Sequence, residues 1–247
     1  MRRDNNIFPS DKLNDRILEL DSNPSSMDDM WIGRLVQTKE GSIAFTPDSD
    51  IKPILSYPHK DNKLEGAIHI NKMPVKGPDG KVPWGRYIAG IDPYDDDTSD
   101  TLSLGAIYVL DLFTDELVCE YVGRPMFAED FYETCRRILM LYNAECNYEN
   151  NKKGLFTYFS QHNSLYLLSD VLEFLKDKEM IKGNLYGNKS KGTNASQPIQ
   201  GYGRRCIRDW LLKPIKVTKS VDVDGHTEEV EVTINNINRC YYRALMQ

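Results

Sequence analysis

The stretch that decides the fold is YIAGIDPYDDDTSDTLSLGAIYVLD, residues 87–111, in which two apolar runs flank a group of aspartates. The apolar run at 87–91 predicts a buried strand, and the run at 102–111 predicts another. Asp92 follows the first run directly. The connection then carries four more aspartates: Asp95, Asp96, Asp97 and Asp100. This pattern raises the question of why negative charge stands at the end of a buried strand.

Strand and helix patterns continue on the C-terminal side of this stretch. Residues 116–122 predict a third strand, and 127–143 predict a helix because their apolar residues recur at helical spacing. A fourth strand is predicted at 144–150 and ends at Glu149. This order predicts an α/β fold with a mixed sheet flanked by helices, in which the first three strands are antiparallel and the later ones parallel.

The remaining segments are less uniform. Residues 1–80 predict one helix at 11–21 and otherwise an irregular N-terminal extension, which we interpret as a linker or accessory segment before a folded domain at 81–247. Asp224-Gly225, between two valine-rich runs, predicts a β-hairpin over 216–234. Three further helices are predicted, at 152–159, 169–177 and 202–212.

Composition narrows the class of protein. The chain of 247 residues has a net charge of −6 and contains no apolar run of about 18 residues, so no membrane span is expected. The N-terminus lacks the apolar region of a signal peptide. Five widely spaced cysteines without a CxxC motif indicate reduced thiols in an intracellular protein, and four histidines without an HExxH motif argue against a zinc enzyme.

Asp92 and Glu149 each have an ordinary explanation, as a turn residue before Pro93 and as a glutamate at a loop edge. Together they are more informative, because both follow apolar strands and are expected on the same side of a sheet. Adjacent carboxylates repel, and hard oxygen ligands suit Mg²⁺ or Mn²⁺. Two such ions activate water and stabilise the leaving oxygen in phosphodiester cleavage. We therefore predict that Asp92 and Glu149 are catalytic residues that bind two metal ions, whereas the later aspartates are mostly a solvated loop with one candidate assisting ligand.

A basic segment at 182–219 contrasts with the negative chain. It contains one acid, Asp209, and nine basic residues: Lys182, Lys189, Lys191, Arg204, Arg205, Arg208, Lys213, Lys216 and Lys219. Two interpretations remain open, namely a solvated loop and helix face, or a surface that holds DNA phosphates without reading bases. The residues predicted to hold the DNA backbone are Lys189, Lys191, Arg204, Arg205 and Arg208.

Three segments carry a family resemblance: the stretch quoted above, EYVGRP at 120–125 and YNAECNYENNKKG at 142–154. They resemble the nuclease domain of phage terminase large subunits, especially in phages of gut Bacteroidales, and the resemblance extends over most of the chain. It implies an RNase H-like fold with Asp92 as the first catalytic acid and Glu149 as the second. It also implies a metal-dependent endonuclease that cuts concatemeric double-stranded DNA during genome packaging in the host cytoplasm, with the portal and the small terminase subunit as partners.

Two departures from that family pattern matter. No GxxxxGK[ST] phosphate-binding loop occurs, so residues 1–80 would follow an ATPase domain that this chain lacks. The family's third acid lies on a C-terminal helix, but no acid follows Glu231 here, so we expect a truncated domain with Asp209 as the one substitute ligand. Two alternatives stay open: another RNase H-like enzyme (integrase, transposase or resolvase), or a catalytically incomplete DNA-binding or assembly fragment.

Overall fold

The computed structural model describes residues 7–23, 30–56, 63–94, 103–151, 153–172, 191–223 and 226–246. Its strands are β1 (Trp31–Gln37), β2 (Ile43–Pro47), β3 (Ile68–Ile70), β4 (Tyr87–Asp92), β5 (Gly105–Asp111), β6 (Glu116–Gly123), β7 (Glu145–Tyr148), β8 (Pro214–Val223) and β9 (His226–Asn235). Its helices are α1 (Ser10–Ser22), α2 (Ala128–Tyr142), α3 (Gly154–Gln161), α4 (Gln197–Leu211), α5 (Asn236–Arg239) and α6 (Arg243–Met246), with a 3₁₀ turn at Leu165–Leu167.

A mixed sheet forms the centre of the structure. Its seven strands lie in the order β2-β1-β3-β6-β5-β4-β7. The predicted meander is confirmed, because β4, β5 and β6 pair antiparallel, and β7 then pairs parallel to β4. Helices flank the sheet, so the expectation of an α/β fold with a mixed, helix-flanked sheet is confirmed. The strands β8 and β9 form a separate two-stranded sheet, which is the predicted hairpin.

The N-terminal part is more regular than the sequence pattern predicted. The strands β1, β2 and β3 extend the central sheet beyond β6: β3 pairs with β6, and β1 pairs with both β2 and β3. The strand β3 has three residues, all buried. So short a run carries no alternating pattern of its own, and its partners on both sides order it.

The first face of the sheet is covered by α2 and α3. The predicted apolar stripe of α2 is fully buried, and it consists of Phe131, Cys135, Ile138, Leu139 and Tyr142. Glu129 and Asp130 lie in the first turn, where the helix dipole favours negative charge. The helix ends at Asn143, whose φ of 46° is left-handed and whose N–H donates to the carbonyls of Leu139 and Met140.

The second face is covered only in part by the residues that the structure describes. A second apolar cluster joins α1, the end of α4 and the C-terminal segment, and its buried members are Leu13, Leu20, Leu211, Ile237, Cys240, Tyr242 and Met246. Tyr108 of β5 and Leu117 of β6 pack against this cluster. Beneath it lie two buried polar residues of the sheet, His69 and Glu120. This covered area lies over β3, β6 and β5.

The predicted helices agree with the structure except for one. The helices α2, α3 and α4 correspond to the predictions at 127–143, 152–159 and 202–212. The helix predicted at 169–177 is wrong over 169–172, because the Ser169 N–H donates to the Cys146 carbonyl and the chain pairs alongside β7 there. Its remaining residues lie outside the described ranges. Within those ranges, no helix combines the length and apolar character needed to cross a membrane.

Candidate active site

Asp92 and Glu149 lie side by side at the carboxyl ends of two adjacent strands. The parallel register of β4 and β7 runs from Ile88 opposite Glu145 to Ile91 opposite Tyr148. The ladder continues one step further, because the Glu149 N–H donates to the Ile91 carbonyl at 3.1 Å. Glu149 therefore occupies the register position opposite Asp92, about one strand spacing of 4.8 Å away between backbones.

Both carboxylates belong to the second face of the sheet. Tyr87, Ala89 and Ile91 point into the core under α2, so the alternating pleat places Asp92 on the opposite face, where it is exposed. The same alternation holds in β7, where Cys146 and Tyr148 are buried and Glu149, half-buried, follows on the other side. The two acids thus share one face at one end of the sheet.

The contacts of the two acids differ. The side-chain amide of Asn151 donates to Glu149 Oε1 at 2.6 Å and helps to orient that carboxylate. The Asp92 carboxylate forms no hydrogen bond or ion pair with any described residue. One acid is therefore oriented by a neighbour, and the other is accessible to a ligand.

The donor set suits a hard divalent cation. Two adjacent carboxylates supply oxygen ligands, and Mg²⁺ is commonly held by one or two carboxylates together with water and substrate phosphates. Among the described residues, no group of three or more His, Cys, Asp or Glu side chains could hold a metal. Asp95, Asp96, Asp97 and Asp100, one of which was a candidate assisting ligand, lie outside those residues.

A short segment before α4 fixes the backbone of Glu149. Thr193 bridges to Glu149 in parallel, with its N–H donating to the Tyr148 carbonyl at 2.8 Å. Gly192 has a φ of +76°, and a Cβ there would meet the Tyr148 ring at 2.6 Å. A glycine is therefore required for this close approach. No sequence pattern predicted this segment, since three residues give no strand pattern and Gly192 is the one signal within it.

The predicted DNA-backbone residues occupy different surroundings. Lys189 lies outside the described residues. The Lys191 ammonium donates to the Leu168 carbonyl at 2.7 Å and to Asp170 at 3.1 Å, at the edge beyond β7. Arg204 and Arg205 are exposed on α4, and Arg208 pairs with Asp209 at 2.7 Å on the same helix.

Asp209 is not brought to the acid pair. The helix α4 begins shortly after Thr193, at the acid-pair end of the sheet, and its 15 residues extend about 22 Å. Near its far end, the Trp210 indole donates to Asp115 at 2.9 Å, in the turn between β5 and β6. That turn lies at the opposite end of β5 from Ala106, the partner of Asp92.

Comparisons with known proteins add no family to these observations. A scan against protein-family models finds no match for this chain, and a search of the curated proteins finds no similar sequence. The functional interpretation therefore depends on the geometry at the ends of β4 and β7 and on the three segments that resemble terminase nuclease domains.

Proposed function

We propose that this protein is a metal-dependent endonuclease that cuts double-stranded DNA, of the RNase H-like type found in terminase large subunits. The observation that carries the proposal is the placement of Asp92 and Glu149 on one face, at the carboxyl ends of adjacent parallel strands. The strands β4, β5 and β6 form an antiparallel meander, and the fourth strand, β7, is parallel to β4. Asp92 stands at the end of the first of these four strands, and Glu149 at the end of the fourth. The resemblance implied the same two residues as the catalytic acids.

The chemistry follows from the donor set. Asp92 and Glu149 would hold Mg²⁺ or Mn²⁺, which supplies a Lewis acid and lowers the pKa of bound water when present. Asn151 keeps Glu149 oriented, and the mutual repulsion of the two carboxylates favours a cation between them. Arg204 and Arg205, exposed on α4, are candidates for contacts to phosphates away from the acids.

The biological setting is part of the same proposal. The substrate would be concatemeric viral DNA, cut during genome packaging in the host cytoplasm, with the portal and the small terminase subunit as partners. The resemblance of the three segments supports this setting, and the proposal includes no ATP hydrolysis by this chain, which contains no GxxxxGK[ST] motif.

The test is nicking of supercoiled plasmid by the purified chain in Mn²⁺ or Mg²⁺. Asp92→Asn and Glu149→Gln are expected to abolish nicking, because each removes a charged oxygen ligand with little change in shape. Glu145→Gln is the matched control, since Glu145 is exposed on the same face of β7 but at the opposite end of the strand. Nicking that survives in both acid variants would overturn the proposal.

One observation favours a second function, a DNA-binding or assembly role without cleavage. The described residues supply two carboxylates at the site and no third His, Cys, Asp or Glu side chain. This role predicts salt-dependent DNA binding that Arg204→Gln and Arg205→Gln weaken, with no nicking by the unaltered chain in either metal. Salt-dependent binding accompanied by metal-dependent nicking would reject it.

A further inference from the structure

Gly90 lies next to the acid pair and has no structural need to be glycine. It is exposed on the second face of β4, two residues before Asp92, and pairs with Tyr108 on one side and Asn147 on the other without a bulge. A Cβ at Gly90 would meet no described heavy atom within 4 Å, and its φ lies outside the left-handed range. Glycine weakens a strand interior, and apart from bulges and bends it marks places where a ligand or another backbone approaches closely.

Asn147 supplies a polar group beside this opening. Its side chain lies on the same face as Gly90 and is half-buried. The Thr193 hydroxyl donates to Asn147 Oδ1 at 2.8 Å, which fixes the amide and leaves its N–H donors without a described partner. Fixed amide N–H donors next to an open strip of backbone suit the phosphate oxygens of a nucleic acid.

We propose that Gly90 and Asn147 form a strand seat, on which the sugar-phosphate backbone of the cleaved DNA strand lies across the sheet. Gly90 admits the backbone, and Asn147 donates to a phosphate about 7 Å from the acid pair, the distance that two residues span along a strand. This inference rests on the proposed function and deepens it. A polynucleotide strand continues beyond the acid pair and therefore reaches the strand seat. A small phosphodiester can bind at the acid pair without contacting the seat.

The first test is Gly90→Val, with Gly90→Ala as the smaller step. Valine suits a strand, and the space around Gly90 is open, so both variants are expected to fold. We expect plasmid nicking and DNA affinity, the latter measured by fluorescence anisotropy with Ca²⁺ in place of Mn²⁺, to fall about tenfold or more in Gly90→Val. Hydrolysis of bis(p-nitrophenyl) phosphate is expected to persist. Gly201→Ala on α4 is the matched control, since a Cβ there also meets nothing within 4 Å.

The second test addresses Asn147 and does not depend on the glycine variants. Asn147→Asp places a negative charge against the phosphate and is expected to weaken DNA binding more than Asn147→Ala does. Thr193→Val removes the orienting donor and is expected to give a smaller loss of the same kind.

The outcomes separate the strand seat from the nuclease. Unchanged DNA affinity and nicking in Gly90→Val and Asn147→Asp, in a chain that does nick, would overturn the seat and leave the nuclease standing. A chain that binds DNA in Ca²⁺ but never nicks, and loses affinity in both variants, would overturn the nuclease and support the seat. A chain that does not bind DNA would overturn both.

Discussion

One row of residues on the second face of the sheet is buried at one end and exposed at the other. Strand register aligns His69, Glu120, Tyr108, Gly90 and Asn147 on β3, β6, β5, β4 and β7. At one end, which we call the covered half, His69 and Glu120 are 0% and 1% exposed. At the other end, the bare half formed by β4 and β7, Gly90 is exposed and the acid pair follows in the next row. The apolar cluster that packs over one half buries its polar groups, whereas the polar groups of the other half are accessible.

The covered half owes its burial to distant parts of the chain. The Tyr242 ring packs edge-on against His69 with ring centroids 5.2 Å apart, and Arg16 of α1 donates to the Cys240 carbonyl at 3.1 Å. His69 Nδ1 and Glu120 Oε1 are 3.9 Å apart, too far for a hydrogen bond. Neither Glu120 oxygen makes a hydrogen bond of good geometry with a described residue. The Tyr108 hydroxyl nevertheless lies close enough to interact, because burial and then the Glu120 carboxyl group raise the pKa of Tyr108 well above its usual range. The side chains of His69 and Glu120 are thus sealed from any substrate.

The largest expected effect is a loss of activity without a loss of stability, for a substitution in the bare half. Asp92→Asn should lower the rate of metal-dependent nicking about a thousandfold or more, since the metal contributes several kcal/mol to the transition state. The free energy of unfolding should not fall, because the exposed Asp92 carboxylate has no described partner to lose and stands beside Glu149. Plasmid nicking and urea unfolding measure the two quantities. A clear loss of stability would show that the bare half is structural after all.

The covered half should give the reverse result. His69→Leu leaves the Glu120 carboxylate buried without its nearest cation-forming neighbour, and should lower the free energy of unfolding by about 3–5 kcal/mol. Replacing both residues by leucine should cost less than the single change, because no carboxyl group is then buried without a partner. Urea unfolding of the two variants checks this order, and DNA nicking per folded molecule should remain unchanged. A double variant that is less stable than His69→Leu would contradict this explanation by an unpartnered carboxyl group.

A smaller, pH-dependent effect is expected at the far end of β4 and β5. Burial disfavours the Asp111 carboxylate, but the Arg86 guanidinium, which donates at 2.8 Å, and the Phe113 N–H, which donates at 2.9 Å, together outweigh it and hold the pKa of Asp111 below its usual 3.8. A carboxyl pKa that is lowered in the folded state stabilises the protein fully at pH values above the usual pKa. This contribution is lost as the pH falls through the lowered pKa of the folded state. Arg86→Met should therefore cost about 2–3 kcal/mol at neutral pH.

Urea unfolding between pH 7 and pH 2 checks this linkage. The difference in unfolding free energy between the natural chain and Arg86→Met should be full at neutral pH and shrink below the usual pKa of 3.8. Lys216→Met is the control, because its ion pair with Glu231 is exposed on the hairpin and should contribute little. A gap that stays constant down to pH 2 would place the effect of Arg86 in packing alone.

The sequence predicts the bare half better than the covered half, for a physical reason. The runs before Asp92 and Glu149 carry their own strand pattern, and the connecting helix places both acids at the same sheet end. Such information is local. The pairing of β3 with β6 and the packing of Tyr242 over His69 are contacts between distant residues, which no local pattern encodes. Gly192 and Thr193 escape prediction likewise, since their strand-like geometry comes from the neighbouring end of β7.

The smallest expected effect tests how dry the covered half is. The Tyr242 hydroxyl is buried and makes no hydrogen bond of good geometry with a described residue, although the Asn71 backbone N–H lies near it. Burial raises the pKa of Tyr242 well above its usual range, so the hydroxyl stays protonated. Removing an unsatisfied polar group is neutral or stabilising, so Tyr242→Phe should leave the free energy of unfolding unchanged or raise it by about 1 kcal/mol. Urea unfolding provides the measurement.

Tyr142→Phe is the matched control for that change, because Tyr142, the last residue of α2, is equally buried and its hydroxyl donates to the Lys72 carbonyl at 2.7 Å. Its loss should cost about 1 kcal/mol, the net value of one hydrogen bond. If Tyr242→Phe costs as much as Tyr142→Phe, the Tyr242 hydroxyl has a partner in solution. A buried water that also reaches Glu120 would be such a partner, and the covered half would then hold a hydrated polar site where the contacts above indicate a dry one.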